Sequence, residues 1–216
     1  MSILYIAFHY NNNPIFCIIK ATMNEIIEIK RKEFEVIEQI GERSFKVQRK
    51  GQFFFMKKFG DDNKGFEDFI DAEHRLRVSG VCNPKCYMFD KKLKITIIEY
   101  VEGQTCLYSL LENELPEVVI EQLFKTFWYA KSDRLALDYS PLNFKFVNGK
   151  LYYLPFAAGK YVSNESFVQR DIRLWFYTKD FIQYCHSLSL STDQSRLKSD
   201  YETNKAIALM TVKYYR

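Results

Sequence analysis

The sequence predicts an α+β protein in which a sheet-forming half is followed by a mostly helical half. Over residues 34–59, apolar and polar residues alternate or form short apolar runs, which is typical of β-strands. One helical pattern, over residues 66–78, comes before two further strands. After Gly103, the apolar residues recur mainly at helical spacing. A sheet lobe and a helical lobe are therefore expected, and a cleft between such lobes is a usual ligand site.

The composition is that of a folded protein of one domain or two small lobes. Of 216 residues, 47% are hydrophobic and 27% are charged, which supports a core and disfavours disorder. The net charge of +4 permits phosphate binding, but without a strongly basic run it does not indicate a nucleic-acid partner. The 19 Phe and 15 Tyr residues are interpreted as core residues and not as a base-stacking surface.

The cysteines and the apolar segments point to a reduced compartment without a membrane span. Five cysteines at irregular spacing do not form a disulfide framework. Cys82 and Cys86 could suggest a metal knuckle, but no second Cys or His pair follows at zinc spacing. No segment reaches the length of a membrane span, and the apolar residues 3–8 lack the features of a leader. We therefore expect a cytoplasmic protein with no membrane partner.

The predicted elements of the first half are mainly strands. Residues 1–33 are expected to be an N-terminal extension that forms a β-hairpin, with its turn at the Asn-Pro stretch. The apolar run at residues 53–59 predicts burial on both faces of its strand. Ser79 and Gly80 are expected to end the helix. The sheet lobe is assigned to residues 34–102, with strands at 34–40, 44–49, 53–59, 86–90 and 95–101.

Helices dominate the second half, residues 103–216. Asn148-Gly149 is a strong hairpin signal between two short predicted strands. Pro116 suits the first position of a long amphipathic helix. The helices are predicted at residues 107–112, 117–130, 167–187 and 194–213, and the strands at 144–147 and 151–154.

The segment most suggestive of chemistry is the polar loop before this hairpin. Asp138 and Asn143 lie five positions apart in it, followed directly by the first strand. This spacing resembles the catalytic loop of the protein-kinase-like superfamily, in particular its small atypical members of the RIO, KEOPS-kinase and lipopolysaccharide-kinase types. The resemblance implies a two-lobed fold in which Asp138 is the catalytic base and Asn143 a metal ligand. An Asp/Asn-capped turn is the alternative.

Two residues of the first hundred fit the same resemblance. Lys57, on the third strand, corresponds to the lysine that binds the α- and β-phosphates of ATP. Glu73, on the helix, corresponds to the glutamate that orients this lysine. Lys58 is the rival of Lys57, because sequence does not fix the register of the strand. A surface ion pair with Arg77 is the alternative for Glu73.

The resemblance also implies a phosphate-covering turn and a hinge that binds the base. Of the usual glycines in the turn only Gly41 is present, so an ordinary hairpin is the alternative. The segment 96–103 resembles the hinge, whose backbone groups at Glu99 and Val101 would bind adenine. A plain edge strand is the alternative for this segment.

One departure from the family pattern limits the functional prediction. After the hairpin the family has Asp-Phe-Gly, whose aspartate binds magnesium, but this chain has Pro155 followed by Phe156. Proline has no side-chain ligand, so the magnesium site is incomplete. We expect a divergent kinase-like protein that binds ATP or a related nucleotide with weak or absent phosphotransfer. The alternatives are an active small kinase with an unusual metal arrangement and a non-enzymatic scaffold that docks a partner protein.

Overall fold

The computed structural model describes residues 6–10, 13–17, 25–162 and 167–214, which divide into two units. The first unit extends to Asp61 and includes Cys86–Tyr100, and the second comprises Asp62–Lys85 and the chain from Val101 onward. The protein is α+β, as the sequence predicts. The helix predicted between the strands of the first half belongs to the second unit.

Antiparallel strands build the first unit. Strands β1 and β2 pair with each other, and residues 11 and 12, part of the expected turn between them, lie outside the described residues. The other strands form one six-stranded sheet in the order β3-β4-β5-β6-β8-β7. The strands are β1 Ile6–Tyr10, β2 Asn13–Cys17, β3 Ile26–Ile29, β4 Lys32–Gly41, β5 Ser44–Arg49, β6 Gln52–Lys58, β7 Cys86–Asp90 and β8 Ile95–Glu99.

One face of the six-stranded sheet carries the core of this unit. Side chains alternate between the two faces of a strand, so every second residue of β5, β6 and β8 reaches this core. The hairpin between β5 and β6 turns at Lys50 and Gly51, with φ values of 51° and 78° that match the twist of the strands. The core side chains are Ile29, Phe34, Val36, Val47, Phe54, Met56, Ile95 and Ile97.

The second unit is mostly helical. Its first helix begins after Asp62, whose carboxylate accepts a hydrogen bond of 2.8 Å from the Gly65 amide, and ends at Gly80 with φ 82°. A Cβ on Gly65 would lie 2.1 Å from this carboxylate, so the cap requires glycine at position 65. The helices are α1 Asn63–Ser79, α2 Cys106–Glu112, α3 Glu117–Ser132, α4 Phe167–Arg170, α5 Lys179–Ser187 and α6 Asp200–Tyr214.

Short strands complete the second unit. The predicted hairpin is present as β10 and β11, and its turn has Asn148 at φ 50° and Gly149 at φ 75°. Two further strands of two residues each pair with one another, and the sequence pattern did not indicate them. These strands are β9 Leu135–Ala136, β10 Phe144–Val147, β11 Lys150–Tyr153 and β12 Gly159–Lys160.

The region predicted as one helix over residues 167–187 is interrupted. Helix α4 gives way to a 3₁₀ turn at Ile172–Trp175, and α5 begins only after Thr178. The Thr178 hydroxyl accepts a hydrogen bond of 3.0 Å from the Phe181 amide, which is an N-cap that starts a new helix. The periodicity of the apolar residues continues across this cap, which is why it does not reveal the break.

Aromatic rings fill the core of the second unit. Tyr139 lies with its ring centroid 4.9 Å from that of Phe167, and Phe144 lies 5.2 Å from Trp175. Phe144, Phe167 and Trp175 are at most 1% exposed. Within the residues that the structure describes, no helix is both long and apolar enough to cross a membrane.

Cys106, which is 1% exposed at the start of α2, gives a test of this core. Burial raises the pKa of its thiol to about 12, because the thiolate is poorly solvated there. At pH 8 we expect iodoacetamide to label Cys106 at least about a hundredfold more slowly in the folded protein than in urea. Mass spectrometry of peptides from the two labelling reactions measures this ratio.

The raised pKa of Cys106 also predicts how the stability of the folded protein changes with pH. Because the folded pKa is raised, the thiol favours the folded state below the ordinary thiol range, and this contribution is lost as the pH rises toward 12. Labelling of Cys106 at equal rates in the folded and unfolded protein would contradict this packing of α2.

Candidate functional site

The loop that contains Asp138 and Asn143 lies between β9 and β10. The Asp138 side chain is exposed, and its Oδ1 accepts a hydrogen bond of 3.0 Å from the Ser140 amide. Asn143 ends a 3₁₀ turn, and its Nδ2 donates a hydrogen bond of 3.3 Å to the carbonyl oxygen of Asp138. The structure therefore brings the two predicted residues together and leaves the carboxylate open to solvent.

Hydrogen bonds to other elements of the second unit hold this loop in place. The Trp175 indole donates a hydrogen bond of 2.7 Å to the carbonyl oxygen of Tyr139, and both side chains are buried. The hydroxyls of Ser140 and Tyr184 lie 2.5 Å apart, which ties the loop to α5. A buried polar group is costly to leave unpaired, so these bonds keep the backbone on either side of Ser140 in one conformation.

Tyr153, at the end of β11, links this loop to the segment that follows the hairpin. Its hydroxyl accepts a hydrogen bond of 3.4 Å from the Asp138 amide and donates one of 3.0 Å to the carbonyl oxygen of Ala157. The ring is 1% exposed, and burial raises the pKa of its phenol to about 12. The phenol is therefore protonated at neutral pH and can act as donor and acceptor at once.

Pro155 and its neighbours are held against α1. The Phe156 ring packs on Phe69 with ring centroids 4.6 Å apart. The Arg75 guanidinium donates a hydrogen bond of 3.1 Å to the carbonyl oxygen of Ala158. The segment after the hairpin thus has a fixed path, with a proline at the position where the kinase-like pattern has a metal-binding aspartate.

Glu73 also lies on α1, and its carboxylate is part of an ion pair. One oxygen lies 3.3 Å from the guanidinium of Arg77, one helical turn further on. Its side chain is 17% exposed and that of Arg77 is 61% exposed. Within the second unit, Glu73 is therefore part of an ion pair on its own helix, which is the alternative that its sequence spacing left open.

The backbone at Val101 is bonded to a lysine. Lys145, on β10, donates a hydrogen bond of 2.9 Å from its ammonium to the carbonyl oxygen of Val101. Burial lowers the pKa of Lys145, because the charged ammonium loses solvent there. Val101 itself is 9% exposed. Of the two predicted hinge residues, Val101 belongs to the second unit and Glu99 to the first, at the end of β8.

Lys57 lies in the first unit, on the sheet face opposite to the core. Met56, one residue earlier, is a core side chain, so alternation turns Lys57 to the other face. Its ammonium lies 4.9 Å from the centroid of the Phe59 ring. Its cross-strand neighbour on β8 is Thr96, which is 0% exposed and has a hydroxyl without a hydrogen-bond partner among the described residues.

Lys58, the rival of Lys57, has a different environment. It points to the core face, where its ammonium lies 3.6 Å from the Glu25 carboxylate and 4.8 Å from the centroid of the Phe45 ring. Its charge is therefore compensated at the end of β6. The alternation of β6, once its register is known, separates the two adjacent lysines.

Gly41 ends β4 at a two-residue turn. It is paired with Ser44, and Glu42 and Arg43 form the tip of the turn. A Cβ on Gly41 would meet only Ser44, at 3.6 Å, so the turn does not require glycine there. The Arg43 guanidinium bonds the carbonyl oxygen of Phe59 at 2.9 Å, which directs it along the sheet. The geometry is that of a short hairpin, the alternative given for this segment.

The described residues contain no group of three or more His, Cys, Asp or Glu side chains that could hold a metal ion. Asn143 offers an amide oxygen and Asp138 a carboxylate, but Pro155 offers no ligand. Because a magnesium ion on a nucleotide is usually held by at least one further carboxylate, this donor set does not fit the metal site of an active kinase.

Four residues that support the site were not identified from sequence. Each acts through a long-range contact of a common residue type, which leaves no local pattern. Tyr153 and Trp175 read as core residues, and Arg75 and Lys145 read as surface charges. Lys145 lies between two Phe residues of a predicted strand, and only the structure shows that its ammonium bonds a backbone carbonyl oxygen.

The Asp138 loop predicts a difference between two substitutions. Asp138→Asn keeps an oxygen that accepts from Ser140, so the free energy of unfolding should change by less than about 0.5 kcal/mol. Asp138→Ala removes the acceptor and should cost about 1 kcal/mol. Urea denaturation followed by circular dichroism measures both values. A larger loss for the asparagine variant than for the alanine variant would show that the loop is held in another way.

Comparison with known proteins adds no relative. No protein-family model matches the chain, and a search of curated proteins finds none that is similar to it. A functional assignment for this chain therefore depends on its residues and their geometry.

Proposed function

We propose that this protein is a divergent kinase-like protein that binds ATP or a related nucleotide with weak or absent phosphotransfer. The observation that carries the proposal is the hydrogen-bonded loop of the second unit directly before a hairpin, where the Asp138 side chain is exposed and the Asn143 amide bonds the backbone carbonyl oxygen of Asp138. A loop held by buried hydrogen bonds keeps these polar side chains in place, as a binding site requires.

Lys57 supports the phosphate-binding part of the proposal. It lies away from the core of the first unit, and its cross-strand neighbour is Thr96, whose buried hydroxyl has no hydrogen-bond partner among the described residues. A buried hydroxyl without a partner is costly, and a ligand oxygen would relieve that cost. A lysine and a hydroxyl on neighbouring strands are a combination suited to a phosphate.

The metal ligands explain why phosphotransfer is proposed to be weak or absent. Transfer of a phosphoryl group depends on magnesium to neutralise charge that develops between the phosphates. Asn143 is the family's second ligand position, and Pro155 replaces the first. In this proposal, Lys57 neutralises most of the phosphate charge, so nucleotide binding does not depend on magnesium.

Nucleotide binding is tested by thermal shift with ATP, with and without magnesium. At a concentration a hundredfold above Kd we expect the melting temperature to rise by about 5 to 10 °C in both conditions. Lys57→Met should weaken binding by about tenfold or more, because it removes a charge-assisted bond to phosphate. No rise with ATP in either condition would refute nucleotide binding.

Lys58→Met is the matched control for this experiment. It removes the same charge from the adjacent residue, but on the core face of the sheet, where Lys58 pairs with Glu25. We expect it to leave the affinity for ATP within about twofold. Equal losses for the two variants would show that the response to ATP reflects overall charge and not a site at Lys57.

The catalytic part is tested with radiolabelled ATP and a general acceptor protein. We expect no more than trace transfer, in magnesium or manganese, because the metal site lacks a carboxylate ligand. A robust transfer that Asp138→Asn abolishes would favour the alternative of an active small kinase with an unusual metal arrangement.

The alternative of a scaffold is favoured by one feature of α6. Tyr201, Leu209 and Val212 are 76%, 61% and 67% exposed, and they lie on the side of the helix that faces away from the core. The aromatic segments 53–55 and 175–177 contain buried rings and are less suited to such a surface, since Phe54 is 8% and Trp175 is 1% exposed. A protein that gives no response to nucleotides would leave this alternative in place.

A further inference from the structure

A cavity of about 510 Å³ lies within the second unit, apart from the Asp138 loop. It is bordered by the junction of α2 and α3, by the residues that follow the Ile172–Trp175 turn, and by α6. Its volume is within the range of pockets that hold small organic molecules. Its apolar lining comes from Leu110, Leu115, Ile120, Trp175, Phe176 and Met210.

The aromatic wall of the cavity is fixed before any ligand binds. Trp175 is held by its hydrogen bond of 2.7 Å to Tyr139. The Tyr177 hydroxyl accepts a hydrogen bond of 2.8 Å from the Asp193 amide, and the Arg196 guanidinium lies 4.3 Å from the centroid of its ring. A wall that does not need to be ordered on binding favours affinity, because less conformational entropy is lost.

The charged residues at the cavity are mainly acidic. Glu114, Glu117 and Glu202 line it together with a single cation, Lys198. Two of these carboxylates are already compensated, because Lys198 pairs with Glu114 at 2.5 Å and Lys213 pairs with Glu117 at 2.6 Å. Hydrogen bonds from Ser199 lower the pKa of Glu202, so this carboxylate is ionised at neutral pH. Glu202 is therefore the lining carboxylate without a basic partner among the described residues, and its uncompensated negative charge favours a cationic ligand.

A hydroxyl-bearing side chain of α6 also lines the cavity. Thr203 is 4% exposed as a residue, and its side chain is part of the cavity lining. A hydroxyl can donate and accept a hydrogen bond, so a polar atom of a ligand is a suitable partner for it.

We propose that this cavity is a binding site for a small organic cation, with an apolar body against Trp175 and a protonated amine toward Glu202. Aromatic walls suit both parts of such a molecule, because a ring gives apolar contact and attracts a cation through its face. The site is separate from the proposed nucleotide site and does not depend on it. Its anionic counterpart, of equal size, should be excluded by the acidic lining.

The test uses the full chain with phenethylammonium as the probe. The chain has two tryptophans, so Trp128→Phe leaves Trp175, in the cavity wall, as the only indole. We expect phenethylammonium to change the Trp175 fluorescence saturably, with an affinity at least about tenfold higher than that of phenylacetate. Glu202→Gln keeps the hydrogen-bonding shape of the cap of α6 and should weaken binding by about twofold to fivefold.

A matched pair of alanines on α6 locates the site. Ala206 lines the cavity, and Ala208 lies on the exposed side of the same helix. Ala206→Phe should fill the cavity and lower the affinity for the probe by about tenfold or more. Ala208→Phe should leave this affinity unchanged. If Ala206→Phe does not fold, judged by circular dichroism, Ala206→Leu replaces it with a smaller expected loss of about threefold.

Three outcomes would overturn the proposal. The first is the absence of a saturable change with phenethylammonium up to its solubility limit. The second is equal binding of phenylacetate, which would show that the acidic lining does not select the charge. The third is an equal effect of substitution at Ala206 and Ala208, which would place the probe elsewhere on the protein.

Discussion

The hydrogen bond from the Trp175 indole to the carbonyl oxygen of Tyr139 is the contact on which the candidate site depends most. Both groups are inside an aromatic core, where water cannot replace either partner. The bond fixes the backbone at Tyr139, one residue after Asp138. Packing against Phe167 fixes the Tyr139 ring. The candidate loop at the surface is thus positioned by buried residues of its unit.

In the first unit, a different physical rule determines the direction of the candidate side chain. In a strand, neighbouring side chains point to opposite faces, so a core on one face determines what the other face presents. Met56 belongs to the core, and Lys57 is therefore directed away from it, while Lys58 returns to the core face beside Glu25. No specific partner is needed to orient Lys57, because the register of β6 is sufficient.

Much of the fold follows from local sequence patterns, and most of the site does not. The strands β5 and β6, the hairpin at Asn148 and the helix α1 were predictable, because alternation, turn residues and helical spacing are local properties. The break before α5 was not, because the Thr178 cap lies inside continuous apolar periodicity. Strand β3 was not assigned to the sheet from sequence either, since it precedes the first strong alternation.

The same distinction applies to the candidate site. The spacing of Asp138 and Asn143 can be read from the sequence, and the structure brings them within hydrogen-bonding distance. The bond between Lys145 and Val101 joins residues 44 positions apart, and no local pattern contains it. Whether Glu73 would face a lysine on another element or Arg77 on its own helix also depended on packing, which a helical spacing does not specify.

The anchoring of the Asp138 loop by Trp175 has a consequence for the divergence of this protein over time. A catalytic loop can usually change its chemistry one side chain at a time, since each substitution is at the surface. Here Asp138→Asn is expected to be tolerated, but the backbone of the next residue, Tyr139, is bonded to Trp175, which lies 36 positions further on and is buried. Selection for stability alone would therefore keep the shape of the loop whichever side chain stands at position 138, because the core would be destabilised without the bond to Tyr139.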